Sequence, residues 1–180
     1  MRAMSEPTPG RSGRVHQVNV SRGGVPKLPV ERARVHHLGL DGDGHDEPEP
    51  IHGGPDQAVS LYCAEAIARV AADGHTAYPG AYGENLTLEG IDWATLAAGD
   101  RLAIGDGGLE LELTKPCSPC TTLGHYFADG RFARISPKVH LEDSRWYARV
   151  LREGPVAPGD RVEVTPGDRV AMPPAGASSP

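Results

Sequence analysis

Twenty-three glycines and 17 prolines, together 40 of the 180 residues, set the first limit on what this chain folds into. An interior glycine costs a helix about 1 kcal/mol and a proline about 3 kcal/mol. An average chain has only ~12% of these two residues, so the excess here excludes a helical bundle and favours short strands joined by many turns. The hydrophobic fraction is 38%, with only 2 Trp, 2 Phe and 5 Tyr, so the core is built mainly from Val, Leu, Ile and Ala. The length is that of one ordinary domain, with no room for a second catalytic core.

Eighteen Lys and Arg stand against 24 Asp and Glu, a net charge of −6, and no basic run is longer than a pair. Nucleic-acid binding needs a clustered cationic face and is not expected. An anionic small ligand would have to be held by local donors. The apolar stretch Ala64 to Ala72 is broken by Glu65 and Arg69, and residues 1–13 have no apolar core of a signal peptide, so we expect no membrane segment and a soluble, cytoplasmic chain. An odd set of cysteines, Cys63, Cys117 and Cys120, fits a reducing compartment better than a disulfide framework.

Residues 1–13 and 166–180 read as disordered tails, since they can bury almost nothing, and residues 14–165 as the folded unit. Val18 and Val20 alternate with polar neighbours as in a strand, and 28–40 continues in strand-like pieces. A 16-residue loop follows, with Asp41, Asp43, Asp46, Glu47 and Glu49 ahead of His52-Gly53-Gly54. Such long loops are often functional. A helix is expected after Asp56, from the spacing of Val59, Cys63, Ala66, Ile67 and Val70, with Gly74 as its stop and Cys63 in the core. Leu109, Leu111 and Leu113 alternate with Glu110 and Glu112, the plainest strand signal. Gly99-Asp100-Arg101 and Gly159-Asp160-Arg161 each open an alternating stretch, and Trp146, Ala148 and Val150 fit a strand or a helix. The sum is a mostly β domain with one or two peripheral helices and a closed or nearly closed sheet.

Cys117 and Cys120 form a Cys-x-x-Cys at the end of that plain strand. Thiolates are soft ligands and good nucleophiles, and a strand end holds them on a rigid support. A zinc-stabilised module would need four ligands, yet there is no second pair, and His125 and His140 lie fifteen residues apart. A thioredoxin-type dithiol would open a helix in a parallel α/β unit, and inert turn cysteines are a further alternative. His36, His37 and His45 have no spacing that compels a metal site. Neither a Ser-His-Asp set nor a phosphate-binding glycine motif stands out.

Taken in order, Gly42-Asp43, His52-Gly53-Gly54-Pro55-Asp56-Gln57-Ala58-Val59, Pro79-Gly80-Ala81-Tyr82-Gly83-Glu84-Asn85-Leu86, Gly99-Asp100-Arg101 and Pro116-Cys117-Ser118-Pro119-Cys120 closely resemble the MOSC domain. This is the C-terminal module of molybdenum cofactor sulfurases, also found alone in small bacterial proteins. The resemblance runs on through Tyr147-Ala148-Arg149-Val150-Leu151 and Gly154 to Gly159-Asp160.

It implies a MOSC-type β-barrel-like fold that binds a molybdenum cofactor of the molybdopterin type, with Cys120 as metal ligand or sulfur carrier. Position 117, commonly Arg in the stand-alone branch, is Cys here, either a second ligand or a resolving thiol. The cofactor would be bound by the His52-Gly53-Gly54 turn and the turn from Gly80 to Gly83, whose glycines give donors to its phosphate, with Arg149 as a charge partner, while Glu84 and Asn85 could read its polar edges. The reaction this implies is two-electron reduction of an N-oxygenated or N-hydroxylated small molecule, with a separate electron-donor reductase as partner. The alternative is a carrier of a Cys120 persulfide served by a separate cysteine desulfurase. With three lysines (Lys27, Lys115 and Lys138) and no large second domain, the chain is not expected to bind pyridoxal phosphate or to be a desulfurase itself.

Overall fold

A computed structural model of the chain describes residues 10–44 and 53–168. Among them, strands β1 (Ser12–Val20), β2 (Leu28–Val30), β3 (Ala33–His36) and β4 (Gly39–Leu40) come first. Then follow β5 (Val59–Cys63), α1 (Ala64–Ala72), β6 (Leu86–Glu89), β7 (Arg101–Ile104) and β8 (Leu109–Cys117). The chain ends on β9 (Arg145–Arg152), β10 (Gly154–Val156) and β11 (Arg161–Thr165). Seven of these close a barrel in the order β1, β11, β7, β8, β9, β5, β6 and back to β1. The β5–β6 pair is parallel and the other six are antiparallel. Closure leaves no open edge in that ring. Strand β2 pairs with the last residues of β1, and β10, β3 and β4 make a small second sheet. The mostly β, barrel-type fold expected from the turn-rich sequence is the one observed.

The repeated Gly-Asp-Arg marks equivalent corners. Gly99 and Gly159 take φ of +91° and +90°, where a Cβ is unfavourable. In each corner the Asp side chain accepts a backbone N–H from three residues back, Ala97 to Asp100 at 3.1 Å and Ala157 to Asp160 at 2.9 Å. The strands that follow, β7 and β11, pair with each other.

Several boundaries differ from the sequence reading. Strand β1 begins at Ser12, ahead of the boundary at 14. β8 runs on through Pro116 to Cys117, and Arg145–Arg152 is a strand. The helix begins at Ala64, not after Asp56, because Val59–Cys63 forms β5. All five of its residues are buried, since it lies between β9 and β6 in the barrel. Cys63 is indeed core, but as the helix N-cap: its Sγ accepts the Ala66 N–H at 3.3 Å. Gly74 stops the helix as expected, with φ +91° and its N–H on Ala71 O. No helix among the described residues is long and apolar enough to cross a membrane.

Candidate functional site

Six segments converge on a cavity of about 170 Å³: the turn before β2, Gly44 after β4, the start of β5 with the turn ahead of it, residues 82–85, the turn after β8, and the start of β9. Antiparallel pairing of β8 with β9 brings the last two together, and Cys117 is the register partner of Arg145. Period-2 alternation then puts Arg145, Tyr147 and Arg149 on one face of β9, opposite the core residues Trp146, Ala148 and Val150.

The two neighbouring cysteines part company here. Cys120 is partly exposed and lines the cavity, whereas Cys117, 1% exposed, is not among the lining residues. Cys117 lies close enough to Tyr147 and Arg145 to act on both. Burial first, and then Cys117, pushes the Tyr147 phenol well above its ordinary range. Burial pulls on the Arg145 guanidinium, but nearby Cys117, Tyr147 and Glu84 hold its pKa above the usual value, so the charge stays on.

Polar groups on the cavity's other side are braced in a chain. Lys27 is paired with Asp43, whose Oδ1 also accepts the Ser21 N–H and whose Oδ2 accepts Asn85 Nδ2 at 2.9 Å. Asn85 Oδ1 in turn accepts the Ser60 N–H at 3.1 Å, and the Ser60 hydroxyl donates to Gly83 O at 3.0 Å. Backbone proximity makes glycine necessary at 80, where a Cβ would meet Lys27 O at 2.2 Å. Glu84 is fully buried, and burial pushes its carboxyl up. Its Oε1 accepts from Gly80 N–H at 2.7 Å and the Thr87 hydroxyl at 2.9 Å, so it braces the turn and does not line the cavity.

Of the residues singled out from the sequence, the structure gathers Cys120, Gly53, Gly83 and Asn85 around the cavity. Gly54 sits just behind, capping the short turn Pro55–Gln57 with φ +83°. Arg149 lies elsewhere: its side chain is 44% exposed and pairs with Asp56 and Glu112. The buried cation of the same strand face is Arg145, which sequence reasoning missed along with Lys27, Ser60 and Tyr147. His52, His45, Asp46, Glu47 and Glu49 lie outside the described residues. Among the described residues the one group of three possible metal ligands is His140, Glu142 and Asp143, remote from both cysteines in sequence, with Asp143 held by Arg69 and Arg134.

A donor set of one accessible thiol, two buried cations and several amide and hydroxyl groups suits an anionic group with a soft metal. Two observations test the fit to a molybdopterin-type cofactor. Arg145 Nε is buried without a partner, and a Cβ on Gly83 would come within 3.0 Å of Val25 and 3.9 Å of Arg145 Nη1, both in the cavity wall. The residues present therefore fit such a group. The buried volume is below the ~300–1000 Å³ of clefts for drug-sized ligands, so a group of that size would enter it by one end only.

Comparisons with known proteins identify the family of this barrel. A family model described as MOSC domain matches residues 48–163. Relatives include YflK of Bacillus subtilis, 29% identical over 149 residues, covering 78% of this chain and 62% of YflK. YiiM of Escherichia coli is 32% identical over 116 residues, covering 62% of this chain and 50% of YiiM. The chain thus spans 62% and 50% of the lengths of these two curated relatives. A Gibberella moniliformis protein called Reductase is 29% identical over 130 residues, 70% of this chain but 22% of its own length. Among solved structures, E. coli YiiM superposes with TM-score 0.65 at 22% identity, over 86% of this chain and 70% of that one. The YuaD protein of Bacillus subtilis does so with TM-score 0.70 at 19% identity, over 85% and 95%. With its barrel in the same fold and most of its length matched by the family model, the chain belongs to the MOSC domain family.

Proposed function

We propose that the cavity holds a molybdopterin-type molybdenum cofactor with Cys120 as sulfur ligand to the metal. On this reading the protein is the cofactor-bearing component of a reductase for N-oxygenated or N-hydroxylated small molecules. The observation that carries it is the separation of the thiols: of Cys117 and Cys120, Cys120 alone opens into a cavity walled by the cations Lys27 and Arg145. The Reductase name of the Gibberella relative supports the reaction class.

When bound, the cofactor supplies two-electron transfer; converting an N–OH to an N–H takes two electrons and two protons and releases water. Electrons come from a separate reductase. Lys27, fixed by Asp43, offers its ammonium to the cofactor's anionic end, and Ser60 and Asn85 position the turn at Gly83 against it. Val25, Tyr82 and Leu123 exclude water from the wall. Tyr147, its pKa raised by burial, keeps its phenolic proton beside the thiols. The protein works in the cytoplasm, where Cys120 stays reduced.

Cys117, three residues before Cys120, favours one second reading: a carrier of a Cys120 persulfide, loaded by a separate desulfurase. Elemental analysis of protein from a cofactor-competent host separates the two. Stoichiometric molybdenum that disappears in Cys120→Ser is the expected result. Its absence from the wild type under cofactor-replete conditions overturns the reductase reading, and a sulfane-sulfur mass increment on Cys120 then establishes the carrier.

A further inference from the structure

Arg145 is the most constrained charge in the cavity wall. It is 8% exposed, and among the described residues the one hydrogen bond of its guanidinium runs from Nη1 to Tyr82 O. Nε is buried with no partner, and the register partner across the ladder, Cys117, is a thiol and not a carboxylate. The nearest acid acting on it, Glu84, makes no ion pair with it; one oxygen of Glu84 is engaged by Gly80 and Thr87 and the other is itself unpartnered. A guanidinium stays protonated at any ordinary pH and presents a planar fork of donors. A buried fork bonded on one side only, in the wall of a cavity, is half of a bidentate contact.

We propose that Arg145 is the oxyanion receptor of this cavity, its free guanidinium edge taking two oxygens of a phosphate-type group. The inference rests on the same cavity as the cofactor reading but not on molybdenum being there. Phosphate chemistry has two sources, the phosphate end of the cofactor and a phosphate carried by the substrate. Arg149 does not compete for the role, since it is paired with Asp56 and Glu112, and Lys27, already shared with Asp43, adds a single charge beside the fork but not a two-point contact.

The test uses the full chain from a cofactor-deficient host, titrated with inorganic phosphate and followed by calorimetry and by the fluorescence of Trp146, the residue next to Arg145. Wild type is expected to bind phosphate, and Arg145→Met to bind it at least about tenfold more weakly, the worth of one charge-assisted bond. Arg145→Lys, which keeps the charge but loses the fork, falls between them. It also serves if the Met variant does not fold by circular dichroism. The idea is overturned by equal phosphate affinity in wild type and both folded variants, or by no phosphate binding to the wild type. The source follows from protein made in a cofactor-competent host. Molybdenum lost in Arg145→Met assigns the phosphate to the cofactor. Molybdenum retained, with phosphate binding still lost from the loaded protein, assigns it to the substrate. A wild type that binds phosphate yet never contains molybdenum would sink the cofactor reading and leave the receptor standing.

Discussion

Cys117 and Arg145 stand directly opposite one another across the β8–β9 ladder, thiol against guanidinium. The MOSC resemblance leads one to expect an arginine at 117. In this chain the cation stands on the other strand of the same rung, and its place on β8 is taken by a small, buried sulfur. The two positions therefore share one local volume and one charge.

That sharing predicts strong coupling. Cys117→Arg alone places two buried guanidiniums on one rung, and an uncompensated buried charge costs about 3–5 kcal/mol. Combining it with Arg145→Cys returns one cation and one thiol to the rung, and most of the loss should be recovered. Urea unfolding of both single variants and the double variant measures the coupling. Additive effects would mean that the two side chains do not compete for the same space.

Gly80 and Gly74 make a controlled pair. Both have positive φ, +87° and +91°, so an alanine at either carries the left-handed backbone cost of about 1–2 kcal/mol. At 74 nothing lies within 4 Å of the added Cβ, whereas at 80 it would sit 2.2 Å from Lys27 O. Gly80→Ala should thus cost clearly more than Gly74→Ala in chemical denaturation, by about 1–3 kcal/mol of overpacking. It should also lower molybdenum retention, because the Lys27 backbone must move, whereas Gly74→Ala should leave retention unchanged. Equal costs would show that the turn at 80 yields freely.

Much of the barrel was legible because its outer strands have one wet face. Leu109, Leu111 and Leu113 reveal β8 by alternation, and the two Gly-Asp-Arg corners reveal β7 and β11 by turn chemistry. β5 was misread because burial on both faces erases the period of two, and five apolar-rich residues then join the helical spacing of α1. The accessible cysteine could be found from its motif, but Arg145 could not. Arg145 and Arg149 share one face and one alternation; the turn at 82–83, packed against the first guanidinium and not the second, belongs to a segment more than sixty residues away. A contact of that kind is made by tertiary structure and leaves no local periodic trace.

Asp43 is the hub of the cavity's braced side, accepting from Lys27, Ser21 and Asn85. Asp43→Ala strips a nearly buried ammonium of its counter-charge, and breaking such a pair from one side costs about 3–5 kcal/mol. Pairing it with Lys27→Met removes both charges, so the double variant should be more stable than Asp43→Ala alone. Molybdenum content should fall in both, since Lys27 is either released or removed. A double variant less stable than the single one by thermal unfolding would mean that the ion pair is not the dominant contact of Asp43.

Alkaline stability should report on Cys63. Burial, opposed by the Ala66 N–H that its sulfur accepts, pushes its thiol from 9.0 up to about 12. Below pH 9 the thiol is protonated whether the chain is folded or not, and stability from this group does not vary. Between pH 9 and about 12 the unfolded chain loses a proton that the folded chain retains, so the unfolded state gains and stability falls as pH rises. Cys63→Ser removes that titration while keeping a side-chain oxygen at the helix N-cap, a position serine favours. The buried Tyr82, whose phenol burial also raises, titrates alike in both proteins, whereas Tyr62, raised by burial and then by Cys63, is raised less in the variant, which adds to the difference in the same direction. Wild type should therefore lose stability more steeply than Cys63→Ser over that interval, with molybdenum content equal at neutral pH. Parallel stability profiles from guanidinium unfolding across pH 8 to 11 would refute the assignment of Cys63 as a buried, protonated cap.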